Sequence, residues 1–552
     1  MTRLSGTRPP TAKSIRWPLR FNSEMLERHQ SVWPNRNILD FIADYYPERH
    51  REVVVVDRGR RFSYEDILLM ADSFAAWMES IGIGSGDMVS FQLPNWYQAH
   101  VVHLACAKIG AVVNPIVPIY RERELNYILR DADTSLLVVP GVYRNFDYDK
   151  MVMGLSHRVP HLVTCGASHA EFTSFDTIIA DFKGCVPEGP SIDPNALAYL
   201  LYTSGTEAEP KGVEQTQNVL LFDLVNMIEN NRIERSDILF GASPVTHITG
   251  LIYYVLMPFV RGNQVCLFDT WDPSKAAEMI EKERCTWTVG ATPFLRDLLY
   301  DENAQKHSIK SLRAFRCGGA DVPPSLIQEA NARGLPAYRA YGCTEHPTIS
   351  GMLYVNGTRD IVKSSETDGH LHPHIELKCI DPDDGVTVLE IGQVGEILTR
   401  GPDLSMGYHR EELNKKAFDK DGWFHTGDLG FIDDSGYVTI TGRKKDIVIR
   451  KGENISTKEL EDIISAHPCV LDIAVIGLPD GERGERVCAV VVPRKNTQFS
   501  FEQMIEILTK ANIAKQKFPE QLEIRQVLPT TAAGKIRKVQ LRDELIAADV
   551  GP

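Results

Sequence analysis

From Val53 to Val289 the sequence alternates between short β-rich runs and stretches patterned as helix. Val53 to Val56 precedes a helical pattern from Tyr64 to Ser80, Met88 to Leu93 precedes one from Tyr97 to Ile109, and Ala111 to Asn114 opens a further strand. Leu136 to Val139, Leu197 to Tyr202, Gln264 to Phe268 and Trp287 to Val289 continue the series. Such alternation predicts parallel strands joined by crossover helices, an α/β fold. Gly82, Gly84 and Gly86 lack the G-x-G-x-x-G spacing and stand before a strand, so they predict a helix-to-strand turn rather than a dinucleotide site. From Glu376 the texture becomes strand and hairpin, with Gly395 to Thr399 and a turn at Asp433 to Gly436 before Tyr437 to Thr441. Beyond the charged cluster Arg443 to Asp446 a compact α+β pattern follows, with Ile473 to Ile476 and Val487 to Val492 as strands.

Composition narrows the function. With 43% hydrophobic residues in 552 the chain supports a large core, and disorder is excluded. Its 60 Lys+Arg against 74 Asp+Glu give a net charge of −14, which argues against a general nucleic-acid or anionic-membrane binder. A small anionic ligand in a local basic pocket remains open. The 10 cysteines form no C-x-x-C pair, which predicts reduced, mostly buried thiols in a cytosolic protein. No run approaches the ~20 apolar residues of a membrane span. Residues 1–23 carry Arg3, Arg8, Lys13, Arg16 and Arg20 and no acid, as a targeting leader or a flexible tail would; Pro9, Pro10 and Pro18 favour the tail.

The chemistry is concentrated in a few motifs. After the apolar run Ala196 to Leu201 come Tyr202, Thr203, Ser204, Gly205, Thr206, Glu207, Ala208, Glu209, Pro210, Lys211 and Gly212. A strand that empties into small hydroxyl residues, a glycine and then a lysine can wrap phosphate oxygens with N–H groups, hydroxyls and one cation. The spacing is not that of a Walker A loop. Further on stand Tyr341-Gly342-Cys343-Thr344-Glu345, Trp423-Phe424-His425-Thr426-Gly427-Asp428, Gly442-Arg443-Lys444-Lys445-Asp446, Lys451-Gly452-Glu453-Asn454-Ile455 and Thr531-Ala532-Ala533-Gly534-Lys535.

Taken in order, these motifs resemble those of the adenylate-forming superfamily of acyl-CoA synthetases, nonribosomal adenylation domains and firefly luciferase, over about residues 30 to 545. The resemblance implies an AMP-forming acid–thiol ligase that uses ATP, Mg²⁺ and coenzyme A. It implies a basic tail (1–23), a large ATP- and acyl-binding domain (24–442), a hinge (443–446) and a small C-terminal domain (447–552). Thr203, Ser204, Gly205, Thr206 and Lys211 would hold phosphates, and Gly319, Ala320, Tyr341 and Gly342 would contact the nucleotide. Thr344 would contact the α-phosphate, and Glu345 would ligate Mg²⁺ as a hard oxygen donor. Asp428 would bind the ribose hydroxyls and Arg443 would add a ribose or phosphate contact. Lys535 would be the catalytic cation, offsetting charge between the carboxylate substrate and the α-phosphate. Lys445 would be the hinge residue, with Lys451 and Gly452 on the face used for thioester formation.

For the acyl group, Pro244-Val245-Thr246-His247 resembles the segment bordering the acyl pocket, and Gly318, Gly319 and Ala320 match its lining, joined by Gly342 and Cys343. Arg144 to Tyr148 and Met406-Gly407-Tyr408 look most like the medium-chain and alicyclic acid branch, such as cyclohexanecarboxylate–CoA ligases, with aromatic, carnitine-like and fatty acids left open because pocket shape decides among them. His370, His372 and His374 alternate as strand residues do; without a completing Cys or carboxylate they predict a loop or strand surface.

The phosphate loop departs from the family pattern. Glu207 replaces the second threonine of a Thr-Thr pair, Ala208 replaces a glycine, Glu209 follows, and Gln217 stands where many relatives have His. Acids beside a triphosphate repel it, so the expectation is altered nucleotide affinity with activity retained. The rivals are an enzyme that loads a carrier protein, luciferase-type oxidation and a nucleotide-binding paralogue with impaired catalysis. No nucleic acid or membrane partner is expected, and the sequence leaves the oligomeric state open.

Overall fold

The structure is a computed structural model and describes residues 29–166, 170–203, 209–353, 360–450, 453–481, 484–531 and 534–550. The basic tail, Ser204 to Ala208, Lys451, Gly452, Ala532 and Ala533 lie outside the described residues.

Two large parallel-rich sheets carry the first part of the chain. One has the spatial order Ala337–Ala340, Ala314–Gly318, Trp287–Gly290, Ile238–Gly241, Gln264–Leu267, Val53–Asp57 and Arg60–Ser63. The other runs Gly407–Tyr408, Lys211–Thr216, Leu197–Thr203, Val112–Pro115, Met88–Phe91, Thr134–Val139, His161–Thr164 and Thr173–Ser174. The helix Tyr97–Ile109 is buried on nearly every side, since the apolar cluster it joins takes Val54 and Val55 from the first sheet and Val89, Val113 and Leu136 from the second. Its one half-buried residue, Lys108, pairs with Asp72 at 2.8 Å.

Local signals set the boundaries. The helix Tyr64–Ser80 opens on a capping box between Ser63 and Asp66, and the chain then turns through Gly82 and Gly86, both at positive φ, into Met88–Phe91. An antiparallel sheet of Glu376–Ile380, Gly395–Arg400, Phe424–Ile432 and Val438–Arg443 follows.

The smaller C-terminal domain is built on Val470–Pro479, Glu485–Pro493 and Gln521–Ile524. Period-2 burial splits its core. Val475, Val487, Ala489 and Val491 pack toward the helices Thr457–Ser465 and Phe501–Lys510, while Ala474, Ile476, Cys488 and Val490 face the helix Lys538–Val550. No helix among the described residues is long and apolar enough to cross a membrane. All the cysteines are free thiols; Cys106, Cys266, Cys285, Cys317, Cys379 and Cys488 are buried, and Cys185 is exposed.

Candidate active site

The phosphate-loop motif is the tip of a hairpin. Leu197–Thr203 and Lys211–Thr216 pair antiparallel with Thr203 opposite Lys211, and the Thr203 hydroxyl donates to the Lys211 carbonyl at 3.4 Å. The second strand also pairs with Gly407–Tyr408, which sets the Lys211 ammonium 5.7 Å from the Tyr408 ring centroid. The Tyr408 hydroxyl in turn donates to Glu345 Oε1 at 2.6 Å. This tyrosine, which in the sequence marked only the resemblance to the medium-chain and alicyclic branch, ties Glu345 to the phosphate-loop strand.

The loop carrying Thr344 and Glu345 is held from several sides. Gln215 Nε2 donates to the Thr344 carbonyl at 2.8 Å, and the Ser405 N–H donates to the Glu345 carbonyl at 2.8 Å. Within the loop the Cys343 N–H donates to the His346 carbonyl at 2.9 Å, so tight a turn that a Cβ on Gly342 would lie 2.0 Å from the Pro347 oxygen. Burial, then the Glu345 charge, drives the Cys343 thiol well up from its ordinary value, so it stays protonated.

Asp428 lies opposite Arg443 in the antiparallel sheet. Its Oδ2 accepts from the Tyr341 hydroxyl at 2.8 Å and its Oδ1 pairs with Arg443 Nε at 3.1 Å. Burial raises the Asp428 carboxyl above the ordinary range, against the pull of Arg443. The Tyr341–Asp428 bond joins two motifs read separately in the sequence.

Lys535 enters from the C-terminal domain. A short turn presents it: the Thr531 N–H donates to the Lys535 carbonyl at 2.7 Å, and the Lys535 N–H donates to the Thr531 hydroxyl at 3.1 Å. Gly534, at φ +80, lies against the large domain, where a Cβ would meet Ala291 at 3.1 Å and Pro293 at 3.2 Å. Burial, then Arg443, lowers the Lys535 ammonium below the usual lysine range, while Asp428, Cys343 and Glu345 raise it. The same cation, after burial, pushes His247 down to about 4, so that imidazole is neutral near pH 7. One lysine thus shares a field with Asp428, Arg443, Cys343, Glu345 and His247.

Interdomain contacts hold this arrangement. Arg296 pairs with Asp472 at 2.8 Å, the Arg494 guanidinium lies 3.9 Å from the Tyr300 ring centroid, and the buried Lys458 reaches Asp321 at 3.8 Å.

The remaining candidates fall as follows. Gly318 ends its strand, where a Cβ would meet the Ala340 carbonyl at 2.5 Å; Gly319 takes φ +79 and Ala320 follows, both half-buried. Lys445 is exposed in the turn Lys444–Asp446. Ser204, Gly205, Thr206, Lys451 and Gly452 are outside the described residues, as are Glu207 and Ala208. Glu209 is exposed and paired with Arg410 at 3.1 Å. Gln217 is buried and accepts from the Ile38 N–H at 2.8 Å, so it anchors the helix Ile38–Ala43.

One expectation is corrected. His372 is not a surface residue: it is 2% exposed, because the face of its alternating run that carries it packs inward. Among the described residues no group of His, Cys, Asp and Glu has the makings of a multidentate metal site. Glu345 as a single carboxylate, with Oε2 taking no hydrogen bond from a described residue, still suits Mg²⁺, which keeps waters and takes its other ligands from phosphates.

Comparison with known proteins identifies the family. The AMP-binding enzyme family model matches residues 43–409, and the AMP-binding enzyme C-terminal domain matches 459–535. The chain belongs to the AMP-binding enzyme family, and as an adenylate-forming member it is an AMP-forming acid–thiol ligase. It is 35% identical to the medium-chain fatty-acid–CoA ligase of Escherichia coli, covering 94% of this chain and 92% of that one. It is 30% identical to the indoleacetate–CoA ligase of Aromatoleum aromaticum, over 95% and 98%. Among solved structures, ATP-bound MatB from Rhodopseudomonas palustris superposes with a TM-score of 0.81 at 28% identity, covering 93% of this chain and 100% of that one.

Proposed function

We propose that this chain is an acid:CoA ligase acting on a medium-chain or alicyclic carboxylic acid. What supports the reading is that Lys535 acts electrostatically on His247, read as bordering the acyl pocket, and feels Arg443, Asp428 and Glu345, read as nucleotide-binding. The E. coli medium-chain ligase supports the choice of acid.

In the first half-reaction a carboxylate oxygen of the acid attacks the α-phosphorus of ATP. The bond to the bridging oxygen breaks, and acyl-adenylate and pyrophosphate form. Two anions must meet, so the site has to supply charge neutralisation and positioning rather than a nucleophile. Lys535 supplies the cation, Asp428 and Tyr341 fix the ribose end, and neutral His247 adds no charge beside the carboxylate. Mg²⁺, held by Glu345 and ATP oxygens, would neutralise phosphate charge. In the second half-reaction the CoA sulfur attacks the acyl carbon, loses its proton, and AMP leaves. We assign this step to a rotated C-terminal domain that turns about Lys445 and presents Lys451 and Gly452.

Acid-dependent exchange of labelled pyrophosphate into ATP tests adenylation, and thioester formation with free CoA tests the acceptor. Exchange without a CoA thioester would point to carrier loading; no exchange with any acid would leave a nucleotide-binding paralogue.

A further inference from the structure

Behind His247 and Gly318 lies a buried polar cluster that an alkyl chain does not need. Arg316 stands two residues before Gly318 on the strand Ala314–Gly318 and therefore faces the same way, while Phe315 and Cys317 face the opposite apolar core. Arg316 is 3% exposed, yet no carboxylate among the described residues lies within ion-pair distance of it. Its Nη1 is turned onto the Met227 sulfur, and its guanidinium lies 5.7 Å from the Tyr253 ring centroid. A buried guanidinium without an oxygen acceptor is costly.

Its neighbours share that deficit. A Cβ on Gly351 would meet both His372 Nε2, at 3.1 Å, and Arg316 Nη1, at 3.4 Å, so the two groups pack against the same glycine and lie close together. Neither His372 nitrogen has a hydrogen-bond partner, nor does Trp287 Nε1, both in buried residues, while the buried Asp223 carboxyl meets the Thr348 hydroxyl and Asp403. Burial, then Asp403, pushes the Asp223 carboxyl up to about 8, so near pH 7 it is mostly a protonated donor. Burial, then Arg316, holds His372 well below its ordinary value, leaving a neutral ring with one N–H.

The fold joins this cluster to the catalytic loop. His247 begins a short helix that continues as π-helix over Leu251–Leu256, carrying Tyr253 inward, and the Tyr253 hydroxyl lies 3.1 Å from the Thr348 hydroxyl, three residues beyond Glu345. The Tyr253 and Trp287 ring centroids are 5.6 Å apart.

We propose that Arg316, His372, Asp223 and Trp287 form the far end of the acyl pocket and select acids with a second oxygen acceptor remote from the reacting carboxylate. The inference rests on the ligase reading above. A distal carboxylate meets the guanidinium best; a distal carbonyl or hydroxyl satisfies the same donors without its charge.

The test is kcat/KM for CoA-thioester formation by the wild-type enzyme on matched acids. These are hexanoate against adipate, and cyclohexanecarboxylate against its 4-carboxy, 4-oxo and 4-hydroxy derivatives. The expected result is a preference of about tenfold or more for the oxygen-bearing member, because donors left unpaired penalise the analogue that lacks it. Arg316→Met should reverse the preference with the KM for ATP within about twofold of wild type, and Arg316→Lys should restore part of it for the dicarboxylate. Wild-type preference for the unsubstituted acids, or equal loss on both members in Arg316→Met, overturns the inference and leaves the ligase reading intact. The wild-type comparison decides even if Arg316→Met does not fold. Absence of both pyrophosphate exchange and thioester with every acid overturns the ligase reading itself.

Discussion

Arg296 of the large domain and Asp472 of the C-terminal sheet form a 2.8 Å ion pair, each less than a third exposed, beside the turn that carries Lys535 into the site. The pair belongs to the interdomain contact of this structure, the arrangement we assign to adenylation. A partly shielded pair contributes about 1 kcal/mol, or about a fivefold shift in a two-state equilibrium. Arg296→Ala should therefore slow adenylation about fivefold and leave thioester formation from supplied acyl-adenylate undiminished. Single-turnover assays of each half-reaction check it; equal slowing of both contradicts it.

Tyr341→Phe removes the 2.8 Å hydrogen bond to Asp428. Loss of a hydrogen bond to a charged group costs about 1.5–3 kcal/mol, so the KM for ATP should rise at least about tenfold. Initial rates at varied ATP measure it, and an unchanged KM would remove Tyr341 from the ribose end.

The pH profile of adenylation follows from Lys535. On the proposed mechanism its cationic form is the active one, and burial with Arg443 holds its ammonium below the usual lysine range. Adenylation should thus be full below the lowered pKa and fall as pH rises through it, sooner than an unperturbed lysine would allow. Lys535→Arg, whose guanidinium does not deprotonate in this range, should abolish that alkaline limb in whatever activity it retains.

The loop acids separate into two cases. Glu209 is turned to Arg410 at the surface, so Glu209→Ala should leave the KM for ATP within about twofold, as exposed ion pairs contribute little. The reading of Glu207 and Ala208 rests on sequence: if they weaken ATP binding, Glu207→Thr/Ala208→Gly lowers that KM. Steady-state kinetics of both variants distinguishes the two positions.

Much of the scaffold was legible because local signals agree with the fold. The Ser63–Asp66 box starts Tyr64–Ser80 where the pattern predicts a helix, and the run from Tyr97 is long enough to be a helix although it is apolar nearly all round. What stayed hidden depends on contacts far apart in sequence. Tyr408 on Glu345 and Tyr341 on Asp428 are separated by 63 and 87 residues. The alternation of His370, His372 and His374 gives two faces without saying which is inside. The π-helical step after His247 leaves no periodic mark; it accompanies a chain path in which a Cβ on Gly250 would lie 1.9 Å from the Pro244 oxygen.

The most direct measurement is a pair of half-reaction assays on Lys535→Ala. The account predicts that acid-dependent pyrophosphate exchange falls by about 10²-fold or more, since the cation is needed where charge builds in the transition state, while thioester formation from supplied acyl-adenylate and CoA stays near wild type. Retained exchange, or equal collapse of both half-reactions, would contradict it.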